Sequence, residues 1–234
     1  MVIYNVVGLL LLLLLAGPGE CRTLSQLRSD ARMLAKDSVG TRPRFSDAQV
    51  NALLNEGQRL VAVRTRCFRR STDFQLALNT TYYALPSDYM DMVRVTRQNL
   101  VLDEVSPGGL DGKSRGWEAS RGTPNYYFIN FSSRNRVGFA PYPGTSVDTG
   151  TVKMEYYYYP GDMTVDSNVP FNNDSHFLAY HHAPAYYAAG MMTLLEGRES
   201  VGAAYLGMFE GMLKSMSETC VLRPNFNPQA TGRQ

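Results

Sequence analysis

The sequence of 234 residues predicts an α+β fold: a four-helix bundle, two helices from each half of the chain, with an antiparallel β domain inserted between them. Three observations predict it. Apolar residues recur at helical spacing from Thr23 to about Phe68, a period of two takes over between Asp73 and Pro160, and helical spacing returns from about Asn172 to Cys220. The expected division is therefore residues 1–20 as an apolar extension, 21–72 and 161–222 as the helical bundle, 73–160 as the inserted β domain, and 223–234 as an extended arm. A hydrophobic content of 44% over this length is enough for a sizeable core.

Val6 to Ala16 is an apolar run of about signal-peptide length, too short to span a bilayer comfortably. Two readings of it stay open. One is a secretory signal cut near Gly19, although no Lys or Arg precedes the run. The other is a hydrophobic extension or upstream start that takes no part in the fold. Under the first reading the chain is a secreted or surface β-rich binding protein, and the sequons at Asn79, Asn130 and Asn173 become possible glycan acceptors.

The first helix is predicted between Thr23 and Lys36, with Leu24, Leu27, Ala31 and Leu34 on its apolar face and Arg28 and Arg32 on the other. Ser46 with Gln49 three residues later is a capping-box pattern that starts a second helix, buried through Val50, Leu53, Leu54, Leu60 and Val61 and running to about Phe68. Its end carries Arg64, Arg66, Arg69 and Arg70, which complement the helix dipole or offer a binding patch. About six strands follow. They are expected at Phe74–Leu78, around Val93 and Val95, around Leu100 and Leu102, at Tyr126–Phe131, at Val137–Ala140 and at Val152–Tyr159. Residues 106–123, rich in Gly and holding the sole tryptophan, Trp117, read as a long projecting loop. Asn172, Asn173 and Asp174 offer caps for a third helix that continues to about Gly197, with Pro184 inside it as a kink. A fourth helix starts at Ser200. The small-residue runs Ala188-Ala189-Gly190 and Gly202-Ala203-Ala204 would let these two helices approach closely.

Charge is unevenly spread. Residues 21–72 carry eleven Lys/Arg against four Asp/Glu, and residues 73–234 carry twelve against sixteen. A basic first part suits phosphate or acidic protein surfaces, and equally a solvated helix face. Cys21, Cys67 and Cys220 are too few and too scattered for a disulfide framework or a zinc site, so Cys67 and Cys220 are read as reduced helix residues. The histidines His176, His181 and His182 lack metal-ligand spacing and read as surface or packing residues. Phosphate-loop, nucleophile-elbow and HExxH motifs are missing from the sequence. No cofactor, metal or catalytic residue is expected.

Taken in order, several segments resemble the head-to-tail adaptor (connector, or gatekeeper) proteins of tailed bacteriophages. They are Phe45-Ser46-Asp47 opening the second helix, Tyr83-Ala84-Leu85-Pro86-Ser87-Asp88, Gly122-Thr123-Pro124-Asn125-Tyr126-Tyr127, Val137-Gly138-Phe139-Ala140-Pro141-Tyr142-Pro143, and the Tyr158-Tyr159-Pro160 end of the last strand. The resemblance covers roughly Thr23 to Cys220. It implies a non-enzymatic virion protein, assembled in the host cytoplasm, that forms a dodecameric ring with itself below the portal protein. Such a ring would bind the portal protein and a tail or nozzle protein, and DNA would pass through its lumen without sequence-specific binding. Candidate partner-interface residues are Arg64, Arg66, Arg69, Arg70, Trp117 and Phe226.

Overall fold

The computed structural model describes residues 21–37, 43–129 and 135–221. In chain order the elements are α1 (Leu24–Ala35), α2 (Asp47–Thr65), β1 (Arg69–Gln75), β2 (Tyr82–Ala84), β3 (Tyr89–Arg97), β4 (Leu100–Val101) and β5 (Asp103–Glu104). Then come α3 (Pro107–Lys113), β6 (Tyr126–Ile129), β7 (Arg136–Ala140), β8 (Thr151–Tyr158), α4 (Ala183–Leu195) and α5 (Glu199–Val221). The fold is α+β, and the chain divides into two compact units: residues 1–67 with 160–234, and residues 68–159. Among the described residues no helix is long and apolar enough to cross a membrane.

In the helical unit the capping box at Ser46 forms as its residues require: Ser46 Oγ accepts from the Gln49 amide, and Gln49 returns a bond to the Ser46 amide. Thr23 and Gln26 make the same arrangement at α1. The core joins Leu24, Leu27 and Ala31 of α1, Val50 and Leu54 of α2, Ala185, Ala188, Ala189 and Met192 of α4, and Tyr205 of α5. Helix α4 packs against α1, α2 and α5. The expected close approach of the last two helices is there: a Cβ on Gly202 would stand 2.6 Å from Leu194 Cγ and 3.0 Å from the Gly190 carbonyl oxygen. Two buried amides on α2 hold the segment between the units' second junction and α4. Asn55 both donates to the Met163 carbonyl (3.1 Å) and accepts from the Met163 amide (2.8 Å), and Gln58 binds the Gly161 carbonyl (2.9 Å) and the Phe171 amide (3.3 Å).

The strand unit contains two four-stranded sheets, ordered β1-β8-β3-β4 and β2-β7-β6-β5; β5 and β6 run parallel and every other pair antiparallel. Val95, Val152 and Met154 of the first sheet share a cluster with Tyr127, Val137 and Phe139 of the second. Strand β8 alternates as its sequence predicts, with Val152, Met154, Tyr156 and Tyr158 buried. The other side of the second sheet, Phe128 and Ala140, is covered by Leu110 of α3 and by Trp117.

Several expectations are corrected. Helix α2 ends at Thr65 rather than near Phe68, because Arg66 turns left-handed (φ 50°) while its amide still bonds Ala62. Arg69 and Arg70 therefore belong to strand β1. That strand ends at Gln75, leaving Leu78 exposed. Residues 106–123 do not project. They fold into α3 and a 3-10 turn (Trp117–Ala119) because the outer side of the second sheet needs apolar cover, and Trp117 is 5% exposed. Pro184 starts α4 instead of kinking a longer helix, since the first-turn amides of a helix have no intrahelical acceptor and proline sacrifices nothing there. The residues before it, Ser175–Tyr180, form a 3-10 turn capped by Asp174. Arg28 and Arg32 do not face solvent. Arg28 binds Asp47 and Asp166, and Arg32 binds Asp37 and Asp47. Cys67 and Cys220, expected as thiols, form a disulfide with their Cα atoms 5.8 Å apart.

Candidate partner interface

The arginine run that looked like one patch is divided at the boundary of the units. In the helical unit Arg64 donates to Glu210 of α5 at 3.0 Å, and Arg66 is the left-handed cap of α2. In the strand unit Arg69 donates to the Tyr157 hydroxyl (3.0 Å) and its guanidinium lies 5.1 Å from that ring's centre. Arg70 pairs with Asp88 at 2.5 Å and stacks over Tyr158 at 4.3 Å. Asp88 also accepts from the Tyr156 hydroxyl at 3.1 Å. Burial, reinforced by this bond to a carboxylate, pushes the Tyr156 phenol up to about 12. Arg69 and Arg70 thus brace the paired ends of β1 and β8 while staying exposed. Trp117 donates its indole N–H to Asp111 (2.8 Å) and packs edge-on against Phe128, so it has almost no surface to offer a partner. Phe226 and the rest of the arm lie outside the described residues, as do residues 1–20.

Much of the basic first segment is neutralised within its own unit. Besides Arg28 and Arg32, Arg44 pairs with Glu196 (3.0 Å), Arg59 with Asp162 (3.5 Å) and Arg22 with Asp30 (3.8 Å). The hydrogen bond from Arg32, with that from Arg28, holds the Asp47 carboxyl below its usual range. Arg28 and Arg32, both paired with Asp47, secure α1 to the start of α2.

A different surface emerges on α5. Its inward stripe is Gly202, Tyr205, Phe209, Leu213 and Met216; its outward side presents Ala203, Ala204, Gly207, Met208 and Gly211. A Cβ on Gly207 or Gly211 would meet nothing within 4 Å. Glu210 is the sole charged residue between Val201 and Leu213. A surface helix ordinarily turns charged groups to water, so an outward side this smooth and apolar is suited to contact with another chain. The signal was present in the composition, but small residues there read equally well as packing between the last two helices.

Among the described residues no group of three or more His, Cys, Asp or Glu is placed to hold a metal. His181 is fully buried, 5.7 Å from the Phe171 ring centre. Burial, with His182 adding to it, pulls its pKa down to about 4. Such a histidine packs against the Phe171 ring.

Comparison with known proteins adds two findings. The family model described as SU10 adaptor protein matches residues 22–230. No curated protein matches the chain.

Proposed function

Since the chain belongs to the SU10 adaptor protein family, a family of phage head-to-tail adaptors, we propose that it closes with its own copies into a ring of about twelve below the portal of a tailed phage. As an adaptor it is a structural component of the phage virion. In the proposed ring it joins the portal protein to a tail or nozzle protein, catalyses nothing, and leaves a lumen through which DNA passes without sequence-specific binding. Helices α1, α2, α4 and α5 act as a four-helix bundle, the strand unit meets the next tail component, and the arm from 223 to 234, with Phe226, reaches a neighbour or the portal. Assembly takes place in the host cytoplasm.

Beyond family membership, the observation that carries this reading is the outward side of α5. A ring contact is heterologous: each copy presents one surface and receives a different one. The side from Ala203 to Gly211, small and apolar apart from Glu210, supplies the first, since glycines there let a neighbouring backbone come close. Native mass spectrometry of the full chain, alone and mixed with a portal ring, tests it. A species near twelve subunits, or one that forms only on the portal, is the expected result. Replacing Gly207 and Gly211 together by Glu abolishes that species and leaves a folded monomer. A wild-type monomer indifferent to the portal overturns the proposal.

A further inference from the structure

Among the described residues, the last turn of α5 is held by very little besides a covalent bond. The buried stripe of the helix stops at Met216, and from Ser217 to Cys220 no residue is buried. Two hydroxyls in this stretch bond back into the helix itself, Ser217 to the Leu213 carbonyl and Thr219 to the Ser215 carbonyl, both at 2.9 Å. Outside the helix, Tyr180 reaches Ser215 Oγ (3.3 Å) and Thr219 Oγ1 (3.2 Å). The remaining anchor among the described residues is the Cys67–Cys220 disulfide, which ties this turn to the residue following the left-handed cap of α2. Helix ends without buried side chains fray, because the last carbonyls lack acceptable donors and no packing offsets the ordering entropy.

We infer that Cys67 and Cys220 form a redox-governed latch that sets where α5 ends. Oxidised, the helix runs to Val221; reduced, its last turn opens beyond Met216. Both cysteines are half-buried, within reach of a small thiol. To close the latch, one cysteine thiolate attacks a small-molecule disulfide, expelling one small thiolate and leaving a mixed disulfide. The other cysteine thiolate then attacks the protein sulfur of that mixed disulfide, forms the Cys67–Cys220 bond and expels the second small thiolate. Two protein thiols lose two electrons and two protons, and one small disulfide takes them up as two thiols. Excess small thiol runs the sequence backwards. The consequence is local: the chain leaving α5 starts from a fixed point only in the oxidised protein.

The full chain is equilibrated in buffers of varied reduced-to-oxidised glutathione ratio, its thiols are trapped by alkylation, and amide hydrogen exchange is read by mass spectrometry. Cys67 and Cys220 are expected to titrate together as a pair, apart from the exposed Cys21. Exchange over residues 217–221 rises on the order of tenfold in the reduced protein and in Cys220→Ser, while residues 202–213 keep their protection. Cys21→Ser behaves as wild type. Equal protection of 217–221 in both redox states overturns the latch, as do Cys67 and Cys220 remaining thiols at every glutathione ratio. If Cys220→Ser fails to fold, reduced wild-type protein supplies the same comparison.

Discussion

Gly138 sits at the middle of β7, where a glycine is costly for a strand, and the structure shows what occupies the space. Gly138 pairs with Phe128 of β6 on one side and Tyr82 of β2 on the other. The Phe128 ring lies across it, so that a Cβ would stand 2.3 Å from Phe128 Cζ and 2.5 Å from Cε2. Ordinary carbon contacts are about 3.5–4.0 Å, so in Gly138→Ala the ring must move by more than about 1 Å. It has nowhere to go. Phe128 is 2% exposed and pinned edge-on between Trp117 (5.1 Å) and Tyr82 (5.9 Å). Overpacking of this kind costs about 1–3 kcal/mol, offset by roughly 0.5–1 kcal/mol gained from removing a flexible glycine, for a net loss of about 1–2 kcal/mol. Trp117 is the sole tryptophan of the chain, and it touches Phe128, so its fluorescence follows the strand unit alone. The expected result is a urea midpoint lowered by about 1 M with altered tryptophan emission in the folded state. Gly138→Ala combined with Phe128→Leu should cost less than the two single changes added together. An unchanged or raised midpoint in Gly138→Ala would refute the stacking of Phe128 on this glycine.

Other expectations follow from the same structure. Arg32→Leu strips the charge partner from Asp37, whose side chain is 1% exposed, and should destabilise the helical unit by about 3–5 kcal/mol in denaturant unfolding followed by circular dichroism. His181 carries its pKa at about 4 against an ordinary 6.5, so the unfolded chain takes up a proton first. Stability is complete above pH 6.5 and falls as the pH drops toward 4, by about 3 kcal/mol in all; His181→Phe should flatten that fall in thermal unfolding at stepped pH. The Asp47 contribution, by contrast, is complete above the unfolded carboxylate pKa and disappears only below it, as Asp47 is protonated, so Asp47→Asn should lower stability at pH 7 and leave it little changed at pH 2. Pro184→Ala should change stability by less than about 1 kcal/mol, since the residue starts α4; a proline inside a helix would instead give a gain of about 3 kcal/mol on replacement.

What could be read from the sequence was what depends on neighbours in the chain. Ser46 with Gln49, the period of Leu24, Leu27 and Ala31, and the alternation from Val152 to Tyr158 are local patterns, and each forms as expected. What could not be read depends on residues far apart. Nothing near Arg28 announces Asp166, and nothing near Cys67 announces Cys220, which lies 153 positions away. Trp117 looked like a projecting group because its surroundings are polar and glycine-rich, yet Phe128 and Ala140, which it covers, belong to later strands of the sequence. The arrangement of the arginine run was hidden for a similar reason. Four arginines within a short stretch suggested a patch, while a left-handed cap at Arg66 parts them into a helix end and a strand start. The outward side of α5 carried its signal in the near-absence of charge, which is harder to notice than a run of charges.

The two ends of the strand unit are neighbours. Arg69 and Tyr157 face each other across β1 and β8, and the Tyr158 amide bonds the Phe68 carbonyl. A module whose first and last residues are already clasped can be lifted out of its host, or exchanged for another with the same spacing, without leaving a gap that the host must bridge. Descent can then alter what this module touches while the helices keep their own sequence constraints. The chain can thus be viewed as a host sequence interrupted by a replaceable cassette, two parts free to evolve at different rates.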